Sequence, residues 1–320
     1  MTVTVGVDLG GTKIQSGALS GGDVTAGLRM PTPHSGVDDV VAAIATSVEA
    51  AAAAVGSTPA ALAGVGVGSP GHIDIERGVV SHSPNVPGFD GPVDLGPRLS
   101  AALGGVPVTL ENDVRVAMLG EHRMGAGRAY RNLIGVFIGT GVGGGLVLDG
   151  TLRTGRGSAG EIGHTTVDPH GFMCSDGRRG HLEAYAGRGR IEAHARQLVE
   201  LGHHTVLFDL MAKKGEPHLT ASMITKAVAK KDKVATRLIE DAVWALAIAL
   251  ASTQNLLDLE AIIIGGGLGD RLGQPFVDDV VAQMIPRLLV PDQPPVVLTT
   301  ELGDLSGAAG AALLAADTFA

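Results

Sequence analysis

Residues 3–19, VTVGVDLGGTKIQSGAL, decide the fold. Val3, Val5 and Val7 alternate with small or polar residues, the period of a strand with one apolar face. The run ends at Asp8, and a turn follows at Gly10-Gly11-Thr12-Lys13. Extended patterns then resume from Lys13 to Leu19 and from Val24 to Met30, so the stretch predicts a β-meander. Glycines without a Cβ let backbone N–H groups approach a phosphate closely. Asp8, at the strand end, can orient a metal-bound water, and Thr12 and Lys13 add donors. The turn has neither the P-loop nor the dinucleotide-binding spacing, and it opens onto a strand instead of a helix. A plain Gly-Gly hairpin satisfies the same residues.

Beyond the meander, Val37 to Val55 is an Ala-rich helix ended by Gly56. Gly64 to Gly68 is a small-residue strand running into Ser69-Pro70-Gly71. Val106 to Leu110 is another strand, leading into Glu111-Asn112-Asp113, where Asn112 or Asp113 can cap a helix through Met124. The second half repeats this plan. Leu133 to Ile138 is a strand, Gly139 to Gly145 a glycine turn, and Leu146 to Leu148 a returning strand. Asp232 to Leu257 is a long apolar helix. Ala261 to Ile264 is a strand entering Gly265-Gly266-Gly267, and Val296 to Thr299 is a last strand before an Ala-rich C-terminal helix. Segment 202–219, with its Lys and His residues, reads as an exposed loop or lid. Two copies of strand, glycine turn and strand, each followed by helices, predict a duplicated α/β domain with a cleft between the copies.

Composition narrows the function classes. Lys and Arg total 24 against 33 Asp and Glu, a net charge of −9 with no long basic run, which disfavours nucleic acid and anionic membranes as partners. The lone cysteine, Cys174, excludes an internal disulfide and fits a reducing compartment. The opening MTVTVGVD does not resemble a signal peptide, and no apolar run approaches the ~18 residues of a membrane span. A cytoplasmic protein is expected. The 48 glycines and 3% aromatic residues predict tight turns around a core of Ala, Val, Leu and Ile.

Further constellations carry chemistry. Gly139-Thr140-Gly141-Val142-Gly143-Gly144-Gly145 holds five glycines in seven residues, a costly choice for a mere hairpin. A base or ribose can lie flat against Gly265-Gly266-Gly267. Asp113, at a helix start where dipole and free N–H groups favour an anion, can accept the proton of an attacking hydroxyl, or simply cap the helix. Gly160-Glu161-Ile162-Gly163-His164 and the stretch from Cys174 to Glu183 place carboxylates and imidazoles among glycines, suited to vicinal hydroxyls or a metal.

These pieces, in this order from Val5 to about Gly310, resemble the ROK family of sugar kinases and repressors, within the actin-like ATPase and hexokinase superfamily. The resemblance implies an α/β fold of two duplicated, ribonuclease H-like lobes: residues 1–112 with 301–320 as the smaller, and 113–300 as the larger. It implies ATP with Mg2+ as donor, Gly10, Gly11, Thr12, Thr140 and Gly141 at the phosphates beside Asp8 and Lys13 of the same turn, and Gly266 and Gly267 near the adenosine. Asp113 would deprotonate the 6-hydroxyl of a hexose, glucose first. Gly71, Asn112, Glu161, His164 and Glu183 would hold the other hydroxyls, with Asn85 of Ser83-Pro84-Asn85 as an extra contact. A homodimer or homotetramer is expected, with sugar and nucleotide as partners.

One region departs from the family, whose pattern Cys-x-Cys-Gly-x-x-Gly-Cys-x-Glu holds a structural zinc through three cysteines and a preceding His. Here Cys174 keeps the first place, while Asp176 and His181 stand in the other two, leaving His164, Cys174, Asp176 and His181 as the candidate ligands. A direct Asp176–His181 contact closes the same loop without metal. Other acceptors (an amino or N-acetylamino hexose, a cyclitol) and polyphosphate as donor fit the same motifs. A sugar-responsive repressor fits less well, because the first strand begins near residue 3 and the charge is wrong for DNA. An inactive sugar-binding protein is disfavoured by the intact Asp113 and phosphate turns.

Overall fold

The computed structural model describes residues 2–83 and 85–320; Met1 and Pro84 lie outside them. The chain divides into two compact units. The first comprises the residues to Ala129, Thr154–Ala159 and Glu301–Ala320, and the second Tyr130–Arg153 and Gly160–Thr300.

The first unit opens with the expected meander, β1 (Val3–Leu9), β2 (Lys13–Ser20) and β3 (Asp23–Pro31). Helix α1 (Val37–Ala54) follows, then β4 (Gly64–Ser69), a small hairpin of β5 (His72–Asp74) and β6 (Val79–Ser81), α2 (Leu95–Ala102), β7 (Val108–Asn112) and α3 (Asp113–Arg123). The main sheet has the order β3-β2-β1-β4-β7, with β4 parallel to both β1 and β7.

Alternation along β1 sorts its two faces. Val3, Val5 and Val7 enter one apolar cluster with residues of α1 and α2. Thr4 points the other way and donates to the Ala312 carbonyl (2.8 Å) of the C-terminal helix, Ser306–Phe319. Glycine on that face is a matter of clearance. A Cβ on Gly6 would lie 1.9 Å from the Ala308 carbonyl oxygen, and one on Gly66 1.9 Å from that of Ala311. Part of the glycine content that composition assigns to turns therefore lets the C-terminal helix lie directly on the strands. Helix α3 packs on the same C-terminal helix, where a Cβ on Gly310 would collide with the Val116 carbonyl, so α3 belongs with the first unit.

The second unit repeats the plan. Its strands β8 (Leu133–Ile138), β9 (Val142–Leu148) and β10 (Thr151–Leu152) form an antiparallel meander. After α4 (Glu183–Ala186), α5 (Arg188–Glu200), α6 (Leu207–Lys214), α7 (Ala221–Ala229) and α8 (Lys233–Leu257) comes β11 (Ala261–Gly265). It leads directly into α9 (Gly266–Met284), kinked at Gly273, and β12 (Val296–Thr299) closes the order β10-β9-β8-β11-β12. The two sheets share one strand order, three antiparallel and two parallel, as a duplicated domain requires.

Two expectations need correcting. The glycine turn after β8 is Gly139–Gly141 only. Gly143, Gly144 and Gly145 lie inside β9, paired with Phe137, Val136 and Gly135, and a Cβ on Gly144 would lie 2.4 Å from the Gly160 carbonyl oxygen. Segment 202–219 is also not an open loop. It contains α6, whose Leu207 is fully buried and whose Phe208, Leu210 and Met211 pack on the unit's core. The 3.6-residue apolar spacing is short there and flanked by charge, which hid it. Among the described residues, no helix is long and apolar enough to cross a membrane.

Candidate active site

In the first unit the candidate residues gather at the carboxyl ends of parallel strands, where open α/β sheets place their ligands. Asp8 of β1 is in register with Gly68 of β4, and Gly68 with Glu111 of β7. The three strand ends thus carry Asp8, Ser69-Pro70-Gly71 and Glu111-Asn112-Asp113 side by side.

The β1–β2 turn is pinned by its own backbone and by Thr32. Gly10 N–H donates to the Lys13 carbonyl (2.9 Å), and the Thr32 hydroxyl donates to the Gly10 carbonyl (2.6 Å). A Cβ on Gly11 would lie 2.2 Å from the Asn85 carbonyl oxygen, which brings Asn85 against the β1–β2 turn. Lys13 Nζ pairs with Asp304 (2.7 Å), as does Arg29 (2.8 Å), so the turn's ammonium has a fixed carboxylate partner. Burial pushes the Asp8 carboxyl up to about 7; the Asp113 charge adds to the rise, Lys13 opposes it, and Asp304 adds slightly. Gly71 sits at φ +101°, where a Cβ would also lie 2.6 Å from the Ser81 carbonyl oxygen. That glycine is therefore required by the backbone whatever it binds.

Three adjacent residues divide three tasks. Glu111 is buried and ion-paired to Arg115 (2.7 Å), whose other guanidinium nitrogen donates to the Gly157 carbonyl (2.7 Å). Asn112 is the helix cap, its Oδ1 accepting from the N–H groups of Val114 (3.0 Å) and Arg115 (3.2 Å). Asp113 is the first residue of α3, with Oδ1 accepting from its neighbour Val114 (2.9 Å). Asn112, and not Asp113, is therefore the helix cap.

In the second unit, a Cβ on Gly141 would lie 2.2 Å from Glu183 Oε2, and that oxygen accepts from Val142 N–H (3.0 Å). Glu183 Oε1 accepts from the Ser175 hydroxyl (2.7 Å). Glu183 therefore links the glycine turn to the 168–181 loop, and its remaining lone pairs are what it can offer a ligand. Nothing in the sequence marks Ser175 for this contact, since no local pattern announces a partner eight residues away in a loop. Glu161 is exposed and precedes a short 3-10 turn, Ile162–His164. A Cβ on Gly163 would collide with the Val142 carbonyl, pressing that turn onto β9. A Cβ on Gly266, φ +82°, would lie 2.5 Å from Ile138 N, whereas one on Gly267 would meet open space. The surface beside Gly267 is thus unfilled by protein.

His164, Cys174, Asp176 and His181 do converge, their ligand atoms lying within 4.8 Å of one another. His164 Nδ1 and His181 Nδ1 are 3.4 Å apart, and each is 3.4 and 3.3 Å, respectively, from Asp176 Oδ2. An ion bonded tetrahedrally at ~2.0–2.1 Å sets ligand separations of about 3.3 Å. The nitrogen and oxygen donors fit that edge length, and 3.3 Å is long for a direct Asp176–His181 hydrogen bond. Burial pushes the Cys174 thiol up, so its thiolate depends on a nearby cation.

A family model described as the ROK family matches residues 4–318. The chain is similar to a glucokinase of Thermotoga maritima, 36% identical over 292 residues and 89% of each chain. It is similar to an N-acetylmannosamine kinase of Haemophilus influenzae, 30% identical over 98% of this chain and 95% of that one. Among solved structures it resembles a ROK family glucokinase from Streptomyces griseus in complex with glucose and AMPPNP, at TM-score 0.81 and 31% identity, covering 98% of this chain and 99% of that one. With one sheet order used twice, the motifs at its strand ends and a family model spanning nearly every residue, the chain belongs to the ROK family.

Proposed function

We propose that this protein is an ATP-dependent hexose kinase that phosphorylates the 6-hydroxyl of glucose. The observation that carries the reading is the Asp113 carboxylate, placed at the start of α3 while Asn112 does the capping. In that position it accepts the proton of the attacking hydroxyl as the terminal phosphoryl group leaves ATP. Gly71 through its backbone, Asn112, Glu161, His164 and Glu183 hold the sugar, with Asn85 near the first turn as a further contact. Gly10, Gly11, Thr12 and Lys13 in the first unit, and Thr140 and Gly141 in the second, cradle phosphates. Gly266 and Gly267 face the adenosine, a role the open space at Gly267 supports. Mg2+ supplies positive charge to the phosphate oxygens when bound, and Asp8 is the residue suited to its water shell.

Zinc at His164, Cys174, Asp176 and His181 belongs to the same reading, supported by the three nitrogen and oxygen separations of 3.3–3.4 Å among His164, Asp176 and His181. It would order the loop from which Ser175 reaches Glu183. Assembly as a homodimer or homotetramer is supported by Leu256, Leu289 and Val290, which are exposed in the second unit.

A panel of sugars assayed with ATP and with polyphosphate, measuring kcat/KM, tests the proposal. The panel includes N-acetylmannosamine and 6-deoxyglucose. Glucose with ATP should give the highest value, and 6-deoxyglucose should bind without turnover. Preference for an acceptor lacking a primary hydroxyl would refute the reading.

A further inference from the structure

Arg188 belongs to none of the motifs discussed above, yet it sits against the second phosphate turn. Its Nη2 donates to Thr140 Oγ1 (2.7 Å) and its Nη1 to the Leu219 carbonyl (2.7 Å). The backbone joins in, Arg188 N–H donating to the Gly139 carbonyl (3.1 Å) and Gly189 N–H to that of Thr140 (3.0 Å). Both side-chain partners are neutral, and among the described residues no carboxylate lies within ion-pair distance of this guanidinium. Glu192, the acid whose charge acts on Arg188, is occupied by Arg196 (2.6 Å) and by the Leu219 N–H (2.8 Å). Arg188 is also the first residue of a 13-residue helix with no acidic residue in its first turn. A cation there opposes the helix dipole. Burial holds the guanidinium below its usual range, and the Glu192 charge counteracts this. A half-buried cation at the wrong helix end, lacking an anion of its own, is set to receive one.

We infer that Arg188 is a positioning residue for the phosphoryl donor: it orients the Thr140 hydroxyl and brings a positive charge to the donor's phosphate chain. A hydroxyl has one donor and two lone pairs. With one lone pair taken by Arg188, the Thr140 O–H is turned away from the guanidinium and is available to a phosphate oxygen, and the adjacent charge strengthens that bond. The inference rests on the reading of ATP as donor and adds a residue to it.

The test compares wild type with Arg188→Ala, measuring KM for ATP and glucose, and the Kd of ADP and of adenosine by calorimetry. KM for ATP and Kd for ADP should rise about 10- to 100-fold, the range for charge-assisted hydrogen bonds. Adenosine, which has no phosphate, should bind within about two-fold of wild type, as should glucose by its KM. A merely structural role would weaken adenosine and ADP alike, and that result overturns the assignment. So does an unchanged Kd for ADP. Should the alanine variant fail to fold, Arg188→Lys replaces it. Lysine keeps the charge but not the planar fork, so ADP should weaken several-fold relative to adenosine; no such difference overturns the assignment. Wild type that binds no ADP would instead refute the nucleotide reading itself.

Discussion

Asp8 and Asp113 act on each other within the first unit: the Asp113 charge, second only to burial, pushes the Asp8 carboxyl up to about 7. Asp8 is half-buried, and its carboxylate is costly to the fold whenever it is ionised.

That relationship predicts a trade between stability and activity. A carboxyl that titrates near 7 when folded and near 3.8 when unfolded binds an extra proton in the folded state between those values. Stability therefore falls as pH rises through this window, by up to roughly 4 kcal/mol once pH exceeds 7. Asp8→Asn removes the titration, so its Tm should exceed the wild-type Tm by more at pH 8 than at pH 5, while kcat drops. Equal Tm differences at the two pH values would show that Asp8 is not so perturbed.

Asp113→Asn should leave the helix start intact, because Asn112 carries the cap. Glucose should bind nearly as in wild type by calorimetry, and kcat should fall by ~10²–10⁴, the usual worth of a general base. A variant keeping more than about a tenth of wild-type kcat would refute the assignment.

Glu183→Ala leaves the Val142 N–H and the Ser175 hydroxyl without their acceptor. The loss should cost ~1–3 kcal/mol and appear as a raised KM for glucose, with kcat less affected. Trp244, the sole tryptophan, packs edge-on to Tyr185 (5.6 Å between ring centroids) two residues beyond Glu183. Its fluorescence should report glucose binding directly. An unchanged KM for every accepted sugar would remove Glu183 from the sugar site.

Elemental analysis of untagged protein should find near one zinc per chain. Chelation should lower Tm and raise the KM for glucose more than it lowers kcat, since the loop holds Ser175 against Glu183. No zinc, with full activity after chelation, would mean that the four side chains hold the loop unaided. Replacing thiolates by Asp and His softens the preference for zinc, so cobalt should substitute readily.

Sequence and structure divided the site between them along physical lines. The meander, the strands into Gly71 and Glu111, the long helix α8 and the last strand Val296–Thr299 were all legible, because period-two and 3.6-residue patterns and caps are local. The three tasks of Glu111, Asn112 and Asp113 were not. Either of the last two can cap a helix, and only the backbone path shows Asn112 Oδ1 meeting two N–H groups. Arg115, nearly as buried as Glu111, and its bond to Gly157 could not be read either. Its partner lies 42 residues on.

By itself, then, the sequence determined the duplicated α/β plan and the strand-end motifs, and the family resemblance named His164, Cys174, Asp176 and His181 as candidate ligands; that their ligand atoms lie within 4.8 Å of one another is a tertiary fact. Tertiary structure alone decided which glycines serve turns and which serve clearance, as at Gly6 under Ala308. It also decided that Arg188 meets Thr140, 48 residues earlier. The reason is one of range. Dihedral preferences and apolar period act over a few residues, whereas packing clearance and charge pairing depend on atoms brought together from distant parts of the chain.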